Sequence, residues 1–120
     1  KVKLVNAIYG IIDNVIFTKA SAEVTLAGTI TNAKYNVYVI TVKSDGTLTA
    51  YMGTEGAALA NVVFPTAIPS TELIVGFVIV HPSGTGNFVG GTTELDDATV
   101  VPNAVYVNSP FAFNPYAVSL

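Results

Sequence analysis

"YNVYVITVKSDGTLTAYMG", residues 35–53, is the stretch that decides the fold. In its first half Tyr38, Ile40 and Val42 occupy every second position, which places them on one face of an extended strand. Residues 44–46 (Ser-Asp-Gly) then turn the chain, because Gly can adopt positive φ and Asp can hydrogen-bond the local backbone. The alternation resumes with Leu48, Ala50 and Met52. The stretch therefore predicts an antiparallel β-hairpin.

A second strand is predicted within "ELIVGFVIVHP", residues 72–82, which is apolar on both faces. A strand of this kind is usually central in its sheet and covered above and below. Gly76 in its middle indicates a β-bulge or a close approach of other backbone. Pro82 has no N–H for a ladder hydrogen bond, so we expect it to end the strand.

The rest of the chain carries further short strand signals. They lie in "NVIFTK" (14–19), "AEVTLAGTIT" (22–31) and "TVVPNAVYVN" (99–108), and only "TEGAALANVVF" (54–64) could hold a turn or two of helix. We therefore predict an all-β protein: an antiparallel β-sandwich or jelly-roll of about eight strands, with at most one short helical turn. Residues 1–108 form this single domain, and residues 109–120 form an extended, aromatic C-terminal tail.

The composition is unusually poor in charge. Charged residues make up 11% of the chain, against about 25% in ordinary soluble domains. The longest apolar run, "LIVGFVIV", is far shorter than the roughly 20 residues that a spanning helix needs, so we expect no membrane span. Surface polarity must come largely from Thr, Asn and Ser. Such a surface suits an exposed particle, or a subunit whose faces are mostly covered by neighbours.

The basic residues are too few and too scattered for nucleic-acid binding. The chain has no Arg, its five Lys all precede residue 44, and its formal net charge is −3. Binding to a phosphate backbone needs clustered Lys and Arg. We therefore expect no nucleic-acid partner.

Residues suited to catalysis are also scarce. His81 is the single histidine, the chain has no Cys, and no "GxSxG" elbow is present. A lone histidine at the end of an apolar strand is more often structural than catalytic. We expect no enzyme activity and no cofactor.

One loop, "GNFVGGTTELDD" at residues 86–97, concentrates Gly, Thr and carboxylates between apolar segments. Its Glu94, Asp96 and Asp97 are weak candidates for a calcium site, since they lack the "DxDxDG" spacing of an EF-hand. A surface turn explains them with fewer assumptions. Phe88 is the apolar anchor expected within this connection.

Tyrosine could give the chain a carbohydrate-binding surface, because its ring has an apolar face and a polar tip. However, Tyr9, Tyr38, Tyr51 and Tyr106 all lie in strand-like runs, where a role in the core is the default expectation. Glycan binding stays open as an alternative function.

The final segment, "SPFAFNPYAVSL" at residues 109–120, is unusually apolar for a tail. Exposed apolar patches often mark partner surfaces. The segment either packs back on its own sandwich or lies across a neighbouring subunit. On the second interpretation the predicted interface residues are Phe111, Phe113 and Tyr116, with Phe88 as a further candidate.

Three stretches together resemble a group of structural proteins of tailed bacteriophages. They are "LVNAIYGIIDNVIFTKASAEVTLAGTI" (4–30), "SDGTLTAYMGTEGAALANVVFP" (44–65) and "GFVIVHPSGTGNFVGGTTELDDATVVPNAVYVNSPFAF" (76–113). The resemblance implies a β-rich virion protein at the particle surface, decorating the capsid or projecting from it as a head fibre. It implies no catalytic residue.

The resemblance also implies partners. We expect a homo-oligomer that contacts phage capsid or fibre proteins, and a trimer by analogy with phage fibres and decoration proteins. Two alternatives stay open: a receptor- or carbohydrate-binding fibre module, and a subunit of an extracellular filament completed by strand addition.

Overall fold

Antiparallel strands make up the whole architecture. The computed structural model describes residues 1–12 and 14–113, with backbone alone for residues 109–113. Within them lie one 3₁₀ turn, Leu59–Asn61, and ten strands: β1 (Val2–Leu4), β2 (Ile8–Ile12), β3 (Val15–Lys19), β4 (Ala22–Val24), β5 (Thr29–Ile30), β6 (Asn36–Val42), β7 (Leu48–Met52), β8 (Leu73–Val80), β9 (Phe88–Val89) and β10 (Val105–Phe113). The predicted all-β class is confirmed, with two strands more than the expected eight.

The main sheet has four strands in the order β10-β8-β6-β7. The predicted hairpin is its β6–β7 pair, in register from Tyr38 opposite Met52 to Val42 opposite Leu48. At the turn the Gly46 amide donates to the Lys43 carbonyl at 2.9 Å, and Gly46 has a φ of 82°. The sequence identified this hairpin because alternation and turn chemistry agree.

A second, smaller layer covers the inner face of the main sheet. It consists of two separate ribbons, β1–β4 and β5–β9, instead of one continuous sheet. Residues from both layers form the core: Val24, Leu26, Ile30, Tyr38, Ile40, Val78, Val80, Phe88, Leu95 and Val101. The arrangement is therefore sandwich-like, with one four-stranded layer and one divided layer.

The outer face of the main sheet is covered by the connection between β7 and β8, residues 53–72. The Gly53 amide donates to the Val37 carbonyl at 2.8 Å, and the Phe64 ring meets Phe77 edge to face at 5.5 Å. All seven residues of β6 are consequently buried. Covering both faces accounts for the apolar character of β6 and β8.

Gly76 marks a bulge, as its position in the sequence indicates. The β6–β8 register shifts between Ile40, opposite Gly76, and Thr41, opposite Ile74. A Cβ added at Gly76 would lie 2.6 Å from the Val107 carbonyl oxygen of β10. Only glycine allows this approach of two backbones.

β10 forms the edge of the main sheet beside β8. It pairs from Val105 opposite Ile79 to Asn108 opposite Gly76, and after a register shift Phe113 lies opposite Ile74. The strand therefore runs through the boundary predicted between residues 108 and 109. It begins three residues after Pro102, and proline is found at edge strands, strand starts and bulges because it has no N–H for the ladder.

Candidate interaction surfaces

β2 and β3 form a two-stranded ribbon whose described residues pair with each other. The register runs from Ile8 opposite Lys19 to Ile12 opposite Val15. Asn14 lies in the connecting turn at a φ of 63°, a conformation that asparagine tolerates better than most residues. Because side chains alternate along each strand, the ribbon has two distinct faces.

The inner face of the ribbon packs on one end of the main sheet. Ile12 and Phe17 are buried together with Val42 of β6, and Leu73 packs against them. The Phe17 ring crosses Gly10, where an added Cβ would lie 2.7 Å from Phe17 Cε1. The packing of Ile12 and Phe17 against Val42 and Leu73 fixes the ribbon on the domain.

The outer face of the ribbon is apolar, and none of the side chains that the structure describes covers it. Tyr9, Ile11 and Ile16 are 75%, 62% and 76% exposed, and Ile11 lies directly opposite Ile16. Thr18, opposite Tyr9, completes the face. We call these four uncharged residues the hairpin face. Apolar groups clustered in this way typically mark a contact surface.

A second surface is an open groove of about 790 Å³ between β1 and the loop that precedes Asp97. Lys1, Lys3 and Val5 belong to one wall, residues 91–96 to the other, and Tyr106 and Asn108 of β10 line it as well. We call it the loop groove. Its volume lies within the range of about 300–1,000 Å³ typical of ligand sites.

The loop wall is held in place by burial and by backbone hydrogen bonds. Phe88, which precedes the wall, and Leu95, which belongs to it, are buried in the core. The Thr93 amide donates to the Val89 carbonyl at 2.8 Å, and the Val89 amide donates to Thr93 Oγ1 at 3.1 Å. The wall is therefore formed before any ligand arrives.

The paired glycines of this loop have different roles. Gly90 donates its amide to the Gly28 carbonyl at 2.8 Å, and a Cβ there would lie 2.8 Å from the backbone of Ala27. Gly91 has a φ of 81°, which favours glycine. The first allows close packing on the neighbouring segment and the second turns the chain.

Tyr106 lines the loop groove and is 57% exposed. Partial burial, and to a smaller extent the charge of Asp96, raises the pKa of Tyr106. The groove has Lys1 and Lys3 on one wall and Glu94 and Asp96 on the other. The lining therefore carries charges of both signs.

The three carboxylates considered for calcium are not grouped. Asp97 accepts hydrogen bonds from the amide and the hydroxyl of Thr99, and these bonds lower its pKa. Glu94 and Asp96 line the groove, whereas the Asp97 carboxylate is hydrogen-bonded to Thr99 in the turn that follows. Across residues 1–12 and 14–113, no three His, Cys, Asp or Glu side chains come together as a metal site.

The aromatic residues predicted for an interface fall into two groups. Phe88 is buried in the core of its own chain, where its ring meets Tyr38 edge to face at 6.1 Å. The side chains of Phe111 and Phe113, and all of Tyr116, lie outside the described residues. The hairpin face was not identified from the sequence.

The expectation of a core role for the strand tyrosines is correct for Tyr38 and wrong for Tyr9 and Tyr106. Tyr38 is buried and donates its hydroxyl to the Ala27 carbonyl at 2.9 Å. Tyr51 is half-buried. Tyr9 is largely exposed on the hairpin face, and Tyr106 is largely exposed on the edge strand β10, where it lines the loop groove.

Two further polar groups have local structural partners. The His81 ring stacks on Tyr35 at 3.8 Å, and its Nδ1 lies 2.9 Å from the Lys34 carbonyl oxygen. Glu55 accepts from the amide and hydroxyl of Thr31 and from Lys34 Nζ. The Thr31 amide is the main reason that the pKa of Glu55 falls to about 2.

Among the described residues, no helix has the length and apolar character needed to cross a membrane. Comparisons with protein-family models, curated protein sequences and solved structures each find no match.

Proposed function

We propose that this chain is a non-enzymatic structural subunit of a tailed-phage particle, decorating the capsid or projecting from it. In this proposal, copies of the chain associate with one another through the hairpin face. The observation that carries the proposal is the group of three exposed apolar side chains, Tyr9, Ile11 and Ile16, on a ribbon fixed to the domain.

The energetic argument starts from the exposed isoleucines. Burying one such side chain fully is worth roughly 1.5–3 kcal/mol. Ile11 and Ile16 are both more than half exposed in the single chain and are neighbours across the ribbon. Covering them together would therefore stabilise an assembly substantially.

A second copy of the chain is the partner that fits this face best. The four residues of the face carry no charge, so they give no basis for attracting a partner of opposite sign. Each copy presents the same apolar ribbon, and identical faces can meet around a symmetry axis. We expect a trimer, by analogy with phage fibres and decoration proteins.

The composition supports a repeating particle subunit. Only 11% of residues are charged, and much of the surface polarity comes from neutral side chains. The resemblance to phage structural proteins extends over residues 4–113. The predicted interface residues of the C-terminal segment, Phe111, Phe113 and Tyr116, would add a contact to the neighbouring subunit or the capsid.

Immunogold labelling of purified phage particles with an antibody against this chain tests the particle assignment. Regular label over the heads is the expected result. Label confined to tail tips would instead favour a receptor-binding role, and label on cell-attached filaments with bare particles would overturn the proposal.

A further inference from the structure

We infer that the loop groove is a binding site for a neutral oligosaccharide, with the Tyr106 ring as its stacking platform. This site is separate from the hairpin face and shares no residue with it. Three features of the groove support it: an exposed tyrosine, polar groups that can donate and accept hydrogen bonds, and a loop held by buried side chains and by hydrogen bonds between Val89 and Thr93.

The exposed ring of Tyr106 is the first element of the site. A sugar ring offers C–H groups on one face, which pack on the apolar surface of an aromatic side chain, while its hydroxyls remain available for hydrogen bonds. Tyr106 is 57% exposed and is held on β10 opposite Val78, so its backbone position is set by the main sheet. A fixed platform loses little conformational freedom on binding.

Polar groups of both kinds surround the platform. Asp96 and Glu94 supply acceptors, Lys3 supplies donors, and Asn108 supplies both. Sugar hydroxyls both donate and accept, so they can use this mixture fully. Thr25 and Thr92 add hydroxyl groups to the lining, and Gly91 adds backbone.

The charges favour a neutral ligand over an ionic one. Lysines lie on the β1 wall and carboxylates on the loop wall, and Lys1 is already paired with Glu23 at 3.3 Å. With Lys1 paired to Glu23, the lining keeps Lys3 together with Glu94 and Asp96, so a polyanion or polycation would gain attraction from some groups and repulsion from others. The open shape of the groove also suits an internal segment of a chain.

An array of immobilised neutral and anionic oligosaccharides, probed with the purified chain, is the first test. We expect binding to neutral oligosaccharides that changes little between low and high salt. Titration calorimetry with the strongest neutral binder then measures the variants. Tyr106→Ala should weaken binding roughly tenfold or more, as truncation of a central aromatic anchor commonly does, and Asp96→Asn should weaken it to a smaller extent.

Two matched controls separate the groove from the rest of the protein. Val105→Ala alters the neighbouring, similarly exposed residue on the other face of β10, and Asp45→Asn removes an exposed carboxylate in the β6–β7 turn. Both should bind like the wild type. The inference is overturned by an absence of neutral binders, by binding restricted to anionic sugars, or by unchanged affinity in both groove variants.

Discussion

At the scale of single residues, the most informative group is the carboxylate of Glu72, which is 2% exposed. Its oxygens accept hydrogen bonds from Thr41 Oγ1 at 2.6 Å and from the Tyr51 hydroxyl at 3.0 Å. Lys43 Nζ lies 3.8 Å away. A buried charge is tolerated only when it is paired and hydrogen-bonded. Glu72 thereby ties the covering connection to β6 and β7.

Replacing Thr41 by valine tests this role. The change keeps the shape of the side chain and removes the hydroxyl that donates to the buried carboxylate. We expect the free energy of unfolding to fall by roughly 1.5–3 kcal/mol, the usual worth of a hydrogen bond to a charged group. Urea denaturation measures this loss of stability. Thr66→Val, the same change at an exposed threonine, is the control. Equal stability of the two variants would contradict the account.

Tyr38 predicts an alkaline dependence of stability. Burial raises its pKa to about 12, whereas an unfolded tyrosine ionises near pH 10. Its contribution is complete below pH 10 and is lost as the pH rises towards 12, because the unfolded state releases its proton first. We expect a loss of roughly 2 kcal/mol over this range, at 1.36 kcal/mol per unit.

Urea unfolding at several pH values between 8 and 11.5 measures this loss. Tyr38→Phe removes the titrating group, along with one hydrogen bond to Ala27. The variant should be less stable at pH 8 and should decline less steeply above pH 10. A decline as steep as in the wild type would show that Tyr38 is not the group responsible.

At the scale of elements, the sequence predicted the β6–β7 hairpin and the central strand β8 because local signals were sufficient. Alternation, a Ser-Asp-Gly turn and an apolar run bounded by Pro82 each specify structure within a few residues. The same signals could not show that β8 is covered on both faces while the β2–β3 ribbon is exposed on one, because the sequences of both are largely apolar on both faces. β8 is covered on its outer side by Phe64, whereas Ile11 and Ile16 are exposed.

The loop groove was only partly predictable for a related reason. The sequence singled out the 86–97 loop and the anchor Phe88, because glycines and carboxylates between apolar segments are conspicuous. It did not indicate that Tyr106 and β1 lie beside this loop, since that requires the pairing of β10 with β8 and of β1 with β4. Strand order is a long-range property, and period-two patterns do not encode it.

The bulge at Gly76 gives a prediction at this scale. In Gly76→Ala the new methyl group meets the backbone oxygen of Val107, so β10 must move away from β8. We expect a loss of roughly 1–3 kcal/mol, as for other overpacked sites, and faster hydrogen exchange of the β10 amides.

Gly86→Ala is the comparison for this variant. Gly86 has a φ of 88° and nothing within 4 Å of an added Cβ. Its alanine variant should lose roughly 1–2 kcal/mol through backbone strain alone and keep the β10 exchange rates of the wild type. Unchanged β10 protection in Gly76→Ala would contradict the close-approach explanation.

At the scale of the whole molecule, the fold combines a four-stranded sheet whose central strand β6 is buried, a divided second layer, and a ribbon whose outer face no described side chain covers. Composition suited either an exposed particle surface or a subunit with covered faces, and the hairpin face is a specific place that no described side chain of the single chain covers. The loop groove lies on different residues, so assembly and carbohydrate binding can be tested independently.

The most direct test of the central claim is sedimentation velocity of the wild type and of the Ile11→Ser/Ile16→Ser double variant over a range of concentrations. We predict that the wild type sediments as an oligomer, and as a trimer by analogy with phage fibres and decoration proteins. The double variant should sediment as a 12.5 kDa monomer, and an unchanged circular dichroism spectrum should show that it is folded. Leu59→Ser, at an exposed leucine outside the ribbon, should assemble normally. A wild type that is monomeric at every concentration, or a double variant that still assembles, would contradict self-association through the hairpin face.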